Sequence, residues 1–157
     1  MSETKKYDFI VFGATGFTGK LVVEYLVERY SSNPEIKWAL AGRNLEKLQS
    51  VVKSKNVPDD ICLFTADSND KTSVENLVSK TRCILTVVGP YQLYGNNIIE
   101  SCAKYGTDYV DLCGEPGWMH EKINELSDIS KESGSRIVFS CGFDSIPFDL
   151  GVLFLQN

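Results

Sequence analysis

The sequence has a single histidine, no C-x-x-C pair, no excess of positive charge and no apolar run approaching the ~20 residues of a membrane-spanning helix. Each shortage excludes a class of function. With His120 alone and no cysteine or histidine at ligand spacing, a structural zinc site has nothing to be built from, and no set of carboxylates singles itself out for magnesium, so no metal is expected. A net charge of -5 argues against nucleic acid as a partner, because binding a phosphate backbone relies on clustered Lys and Arg to displace counterions. The five cysteines, Cys62, Cys83, Cys102, Cys113 and Cys141, cannot all pair and sit among apolar residues, so they read as reduced core thiols. The start Met-Ser-Glu-Thr-Lys-Lys has neither the apolar core of a secretory signal nor the Arg-rich, acid-free character of a transit peptide, and cytoplasmic residence is the expectation.

What remains is an ordinary globular composition, 43% apolar and 24% charged over 157 residues. A chain of that length buries roughly two-thirds of its unfolded surface and supports one core, so residues 1–157 are expected to form a single domain. Apolar runs alternate with helix-period stretches from end to end. That pattern predicts an α/β fold, a doubly wound parallel sheet of about six strands with helices on both faces, for which the resemblance given below implies the Rossmann type. Strands are expected over Tyr7–Phe12, Lys37–Ala41, Ile61–Phe64, Cys83–Val88, Asp108–Leu112 and Arg136–Ser140. Helices are expected over Phe17–Tyr30, Leu45–Lys53, Lys71–Ser79, Asn97–Tyr105 and Met119–Ser133, with a terminal helix beginning near Pro147.

The most informative segment is Gly13-Ala14-Thr15-Gly16-Phe17-Thr18-Gly19, placed between the first strand and the first helix. Backbone N–H groups at such a junction bind phosphate. Gly13 makes the tight turn, Gly16 lets the backbone approach a pyrophosphate, Gly19 lets helix and sheet pack closely, and Thr15 and Thr18 add hydroxyl donors. The G-x-x-G-x-x-G spacing is a variant of the dinucleotide-binding fingerprint, and a purely structural glycine turn is the competing reading.

The second strand ends Ala41-Gly42-Arg43, with no acid between Trp38 and Asn44. An NAD site places a carboxylate there for the ribose 2′-OH, whereas a 2′-phosphate needs a cation, so NADP is favoured with NAD as the alternative. Arg43 would hold the 2′-phosphate and stack on adenine, with Lys47 adding charge; otherwise Arg43 is a solvated helix-start residue. Asp67, after the third strand, would accept from the adenine amino group or serve as a helix N-terminal acid. Gly89-Pro90-Tyr91, after the fourth, would let ribose and nicotinamide lie close, with Tyr91 either flanking the reacting ring or packing the loop.

Other catalytic patterns are absent. There is no Tyr-x-x-x-Lys pair, no G-x-S-x-G elbow and no G-x-x-x-x-G-K-[ST] loop. Thiolate catalysis by Cys113 or Cys141 would need an exposed electropositive setting, whereas neighbours such as Leu112 and Phe139 predict burial.

Taken in order, Val11 to Gly19, Ala41-Gly42-Arg43, Val88-Gly89-Pro90-Tyr91, Tyr94-Gly95, Cys113-Gly114-Glu115 and Ser140-Cys141-Gly142-Phe143-Asp144-Ser145-Ile146-Pro147 resemble the saccharopine dehydrogenase-like oxidoreductases over nearly the whole chain. The resemblance implies an NADP-binding Rossmann domain that transfers hydride to or from a small carbonyl, imine or enoyl substrate. In typical members a longer second part follows, for substrate binding and dimerisation. This chain is then expected to be the N-terminal cofactor domain of a larger protein, homodimeric through that second part and, as in some members, associated with lipid droplets or membranes. The resemblance places Gly142 to Pro147 on the nicotinamide side of the cleft and makes Asp144, then Glu115, the candidate catalytic carboxylates. Against this, Asp144 reads as a cap for the terminal helix and Glu115-Pro116 as a loop-shaping pair. A non-catalytic dinucleotide sensor or scaffold is the rival reading for the chain as a whole.

Overall fold

The computed structural model describes residues 5–157; Met1–Thr4, part of the start read above for targeting signals, lie outside the described residues. The elements follow one another as β1 (Tyr7–Phe12), α1 (Phe17–Tyr30), β2 (Trp38–Gly42), α2 (Leu45–Lys55), β3 (Cys62–Thr65), α3 (Lys71–Val78), β4 (Thr81–Thr86), α4 (Tyr91–Tyr94), α5 (Asn96–Tyr105), β5 (Asp108–Val110), α6 (Pro116–Ser133), β6 (Ile137–Val138) and α7 (Ile146–Gln156). The six strands form one parallel sheet in the order β3-β2-β1-β4-β5-β6. This is the doubly wound Rossmann-type architecture, and its order reverses between β1 and β4.

Strand alternation splits the core into two layers. Ile10 and Phe12 of β1, Ile84 of β4 and Tyr109 of β5 pack beneath α3, α5 and α6. Val11 of β1 and Leu40 of β2 pack beneath Val23 and Leu26 of α1 and Leu48 and Val51 of α2. Successive residues of a strand face opposite sides, so a run such as Phe9-Ile10-Val11-Phe12 is apolar throughout because both faces of β1 are covered.

Local chemistry sets the ends of the elements. Asn44 Oδ1 caps α2 by accepting from Lys47 N at 2.9 Å, and Asp70 Oδ1 caps α3 by accepting from Thr72 N at 3.0 Å and Ser73 N at 3.2 Å. Helix α6 starts at Pro116, three residues ahead of the sequence expectation, since proline suits a first helical turn. Strand β4 begins at Thr81 and its ladder with β1 ends at Thr86, after which Val87 N makes a last bond to Phe12 O at 2.9 Å. The last two strands are shorter than predicted. Strand β5 stops where the Asp111 carboxylate takes over the local amides, and β6 stops before Ser140, whose φ of 58° is left-handed.

Two expectations are corrected. The residues after Pro90 form the short helix α4 rather than an open loop. Not every thiol is a core group: Cys102 and Cys113 are buried, Cys62 and Cys83 are half-buried, and Cys141 is exposed because its segment has already left the sheet. No helix among the described residues is long and apolar enough to cross a membrane.

Candidate functional site

Ligands of open α/β sheets sit outside the carboxyl ends of the strands, at the point where strand order reverses. Two neighbouring cavities occupy that rim here and share Val87 as a wall. One, of about 170 Å³, is lined by Gly13, Thr15, Gly16, Arg43, Ser68 and Gly89 among others. The other, of about 490 Å³, lies on the β5–β6 side and is lined by Thr18, Thr86, Asp111, Cys113, Gly142 and Asp144 among others. A divided cleft of this kind suits a ligand with two halves.

The glycine turn accounts for itself residue by residue. Gly13 has φ of 96°, and a Cβ there would lie 2.9 Å from Val88 Cγ2. A Cβ on Gly19 would overlap the Gly13 carbonyl oxygen and lie 2.8 Å from Ala14 Cα, so the third glycine is what lets α1 close on β1. Gly16 differs from both. Its φ is -72°, and a Cβ would meet only Gly13 O at 3.4 Å, which is ordinary contact. The protein's own packing leaves Gly16 free to vary, and the space its missing side chain opens belongs to the smaller cavity.

The start of α1 also lacks the side-chain cap that the starts of α2 and α3 have. Gly16 offers no side-chain cap and the first turn holds no acid. The first helical bond is Lys20 N to Gly16 O at 3.0 Å, and the N–H groups of Phe17, Thr18 and Gly19 have no acceptor among the described residues. Three free donors at the positive end of a 14-residue helix are available to an anionic ligand.

The remaining predicted residues separate into those at the cleft and those beside it. Arg43 is exposed at the rim of the smaller cavity, and Gly89, joined to Pro90 by a cis bond, forms part of its wall. Lys47 is exposed on the first turn of α2 and lines neither cavity. Phe17 is 83% exposed, and what it brings to the helix start is its free backbone N–H. Asp67 accepts from Asn69 N at 3.0 Å within its own turn and lines neither cavity, while its buried neighbour Ser68 lines the smaller one. The acid at the N-terminus of α3 is Asp70, which caps it.

Tyr91 lies away from the cleft surface. Its ring is buried and stacks obliquely on Trp118 at 5.7 Å between centroids. Its hydroxyl donates to Thr86 O at 3.2 Å and accepts from Leu112 N at 3.3 Å, and burial pushes its pKa up. Of the two alternatives for Tyr91, packing is what the structure has.

The two candidate carboxylates differ in surroundings. Glu115 accepts from Tyr91 N at 2.6 Å and from Gln92 N at 2.9 Å, so it holds the start of α4 from across the fold. Asp144 is exposed on the wall of the larger cavity, and the cap position of α7 belongs to Ser145, whose side chain makes no capping bond. Capping therefore does not explain Asp144.

Asp111, at the floor of the larger cavity, was not singled out from sequence. Its carboxylate accepts from Tyr109 Oη at 2.8 Å, Cys113 N at 3.0 Å and Ser140 N at 2.8 Å, and Ser140 Oγ donates to Cys113 O at 2.7 Å. Burial raises the Asp111 pKa against these hydrogen bonds, and the same burial lifts the Cys113 thiol to about 11. The knot binds the tails of β5 and β6 into one wall, the wall that carries Asp144. The only signal in the sequence was an acid closing an apolar strand, Tyr109-Val110-Asp111.

Residues 9–138 match the sequence profile of the family described as the saccharopine dehydrogenase NADP binding domain. A lipid droplet localized protein of Caenorhabditis elegans is 39% identical, over 97% of this chain and 37% of its own length. A saccharopine dehydrogenase-like oxidoreductase of Rattus norvegicus is 35% identical, over 99% of this chain and 39% of its own. The chain thus spans well under half the length of these relatives. Among solved structures, saccharopine dehydrogenase (L-Glu forming) from Saccharomyces cerevisiae superposes with a TM-score of 0.66 at 17% identity, over 87% of this chain and 27% of that one, a likeness of fold.

Proposed function

Because the chain belongs to the saccharopine dehydrogenase NADP-binding domain family, and is thus a Rossmann-type NADP(H)-binding oxidoreductase domain, we propose that it lays NADP(H) across the β1–β4 switch point for hydride transfer with a small carbonyl, imine or enoyl substrate. One observation carries this reading. The unpartnered N–H groups of Phe17, Thr18 and Gly19 follow directly on Gly16, which lines one rim cavity together with Arg43, while Thr18 lines the adjoining one.

In this proposal the N–H groups of Phe17, Thr18 and Gly19 hold the pyrophosphate, with the Thr15 and Thr18 hydroxyls alongside. Arg43 takes the 2′-phosphate through paired charge-assisted hydrogen bonds, Lys47 adds to the local potential, and Ser68 and Asp67 border the adenine end. Gly89 leaves room for the ribose beside Val87, and Pro90 directs the chain into α4. When bound, NADPH supplies the hydride; the chain supplies placement. Asp144 orients a substrate amine or a water from the open wall. Glu115 contributes by fixing Tyr91 and Gln92, hence the loop that carries Gly89.

We further propose that residues 1–157 act as the cofactor domain of a longer cytoplasmic polypeptide, in which a second part selects the substrate and forms a homodimer. The relatives' greater length supports this, and the lipid-droplet name of the worm relative supports a lipid-associated site for the whole protein.

Calorimetric titration with NADP and NAD at fixed salt tests the assignment. Arg43→Asp is expected to weaken NADP binding by about 2 kcal/mol or more, roughly 30-fold, because a charge-assisted bond is replaced by repulsion. NAD affinity is expected to stay nearly constant. Equal losses for both nucleotides would remove Arg43 from the 2′-phosphate site.

A further inference from the structure

Helices cover the two faces of the sheet unequally. Helices α3, α5 and α6 pack on one face, while the opposite face has α1 and α2 over β1, β2 and β3 and, among the described residues, nothing over β5 and β6. The uncovered part is apolar. An open groove of about 690 Å³ runs between the flank of α1, where Leu21 and Tyr25 are 51% and 53% exposed, and a floor made by Cys83, Leu85 and Val110. Val138 of β6 continues the patch at 50% exposure. The three strands β4, β5 and β6 span about 10 Å, the width of one helix.

The chain also has a helix without a seat. In α7 no residue is buried, although its sequence is apolar on two sides. Ile146, Leu150 and Leu153 recur at helical spacing along one side, and Phe148, Val152 and Leu155 along the opposite side. A helix of 11 residues is too short to hold itself together in water, and one that is apolar on two sides belongs between two layers.

The two features are hinged together. Ser145 and Asp144 line the same cavity as Thr18 and Val22 of α1, and Val22 also lines the apolar groove. Helix α7 therefore starts level with the first turns of α1, at the upper end of the groove. Folded down, it would run beside α1 in the same direction, about 16 Å long against about 21 Å for α1.

We propose that α7 is a strap that folds about Phe143–Ser145 into this groove, seating Ile146, Leu150 and Leu153 against α1 and β4–β5 and leaving Phe148, Val152 and Leu155 outward. Seating the strap fixes Phe143 and Asp144 on the wall of the larger cavity. That consequence rests on the dinucleotide reading above; the docking itself does not.

Hydrogen exchange of the 157-residue chain, with its mass measured in the same solution, tests the strap without any nucleotide. At monomeric mass the amides of Leu150 to Gln156 are expected to exchange at least roughly 100-fold more slowly than in an unstructured peptide. Leu150→Ser with Leu153→Ser should abolish that protection while β1 and β4 stay protected. Val152→Ser with Leu155→Ser should preserve it. Unprotected α7 amides, protection only at dimeric mass, or equal effects of the two pairs would each overturn the proposal, the second by making another copy the occupant. NADP titration is a separate readout, so failure of the strap and failure of the cofactor site are distinguishable.

Discussion

At the scale of single residues, Gly16 and Gly19 look alike in sequence and differ in what they are for. A methyl group on Gly19 would drive into the Gly13 carbonyl and Ala14 backbone, neither of which can move aside without parting α1 from β1. Gly19→Ala is expected to destabilise the fold by about 2 kcal/mol or more, as overpacking against backbone does. Gly16→Ala meets no such obstacle, and alanine's poorer capping should limit its cost to about 1 kcal/mol. Its effect should appear in NADP affinity instead, as a loss of tenfold or more, about 1.4 kcal/mol. Urea melts and NADP titrations of both variants separate the two roles. A Gly16→Ala protein that binds NADP like the parent would mean that no phosphate approaches this backbone. Sequence spacing identified the turn and gave each glycine a task, and the structure adds the atoms that stand opposite each Cα: Val87 and Val88 at Gly13, and the Gly13 and Ala14 backbone at Gly19. Ser68, by contrast, was illegible: it reaches the cavity only through the way the β3 tail turns beneath it.

At the scale of elements, much of the fold was legible because period and punctuation agreed. The start and end of β1 and of α1 fall where the apolar run and the glycines put them. Where side chains from distant elements decide the local structure, the sequence had no purchase. Helix α4 is such a case. Glu115 reaches across from the start of α6 to accept from its first two amides, and Tyr91 is drawn into the core beside Trp118. The structure thus gives Glu115 a defined task that does not require it to touch substrate. Glu115→Ala is expected to lower stability by about 1–2 kcal/mol, since two charged hydrogen bonds to a helix start are lost, with Glu115→Gln recovering about half by keeping one oxygen acceptor. Chemical denaturation checks this. Unchanged stability in Glu115→Ala would show that α4 holds its position without the carboxylate.

At the scale of the molecule, the cleft is a property of the whole sheet. Gly13 and Gly16 follow β1, Arg43 follows β2, Ser68 follows β3, Val87 and Gly89 follow β4, Asp111 and Cys113 follow β5, and Asp144 follows β6. Six strand ends contribute, so the cavities exist only while the strands hold their register. A ligand bound there is linked to global unfolding rather than to the ordering of one loop. NADP at 100 times its dissociation constant should therefore stabilise the chain by about 2.7 kcal/mol and raise its Tm by about 5–10 °C. NAD at the same concentration should raise it less, because it brings no 2′-phosphate to Arg43. The transition should stay single with ligand, as expected when one cooperative unit holds the site. If saturating NADP left the Tm unchanged, the six strand ends would not form a dinucleotide site on their own, and the β5–β6 wall that carries Asp144 would be the first part to test for dependence on another layer.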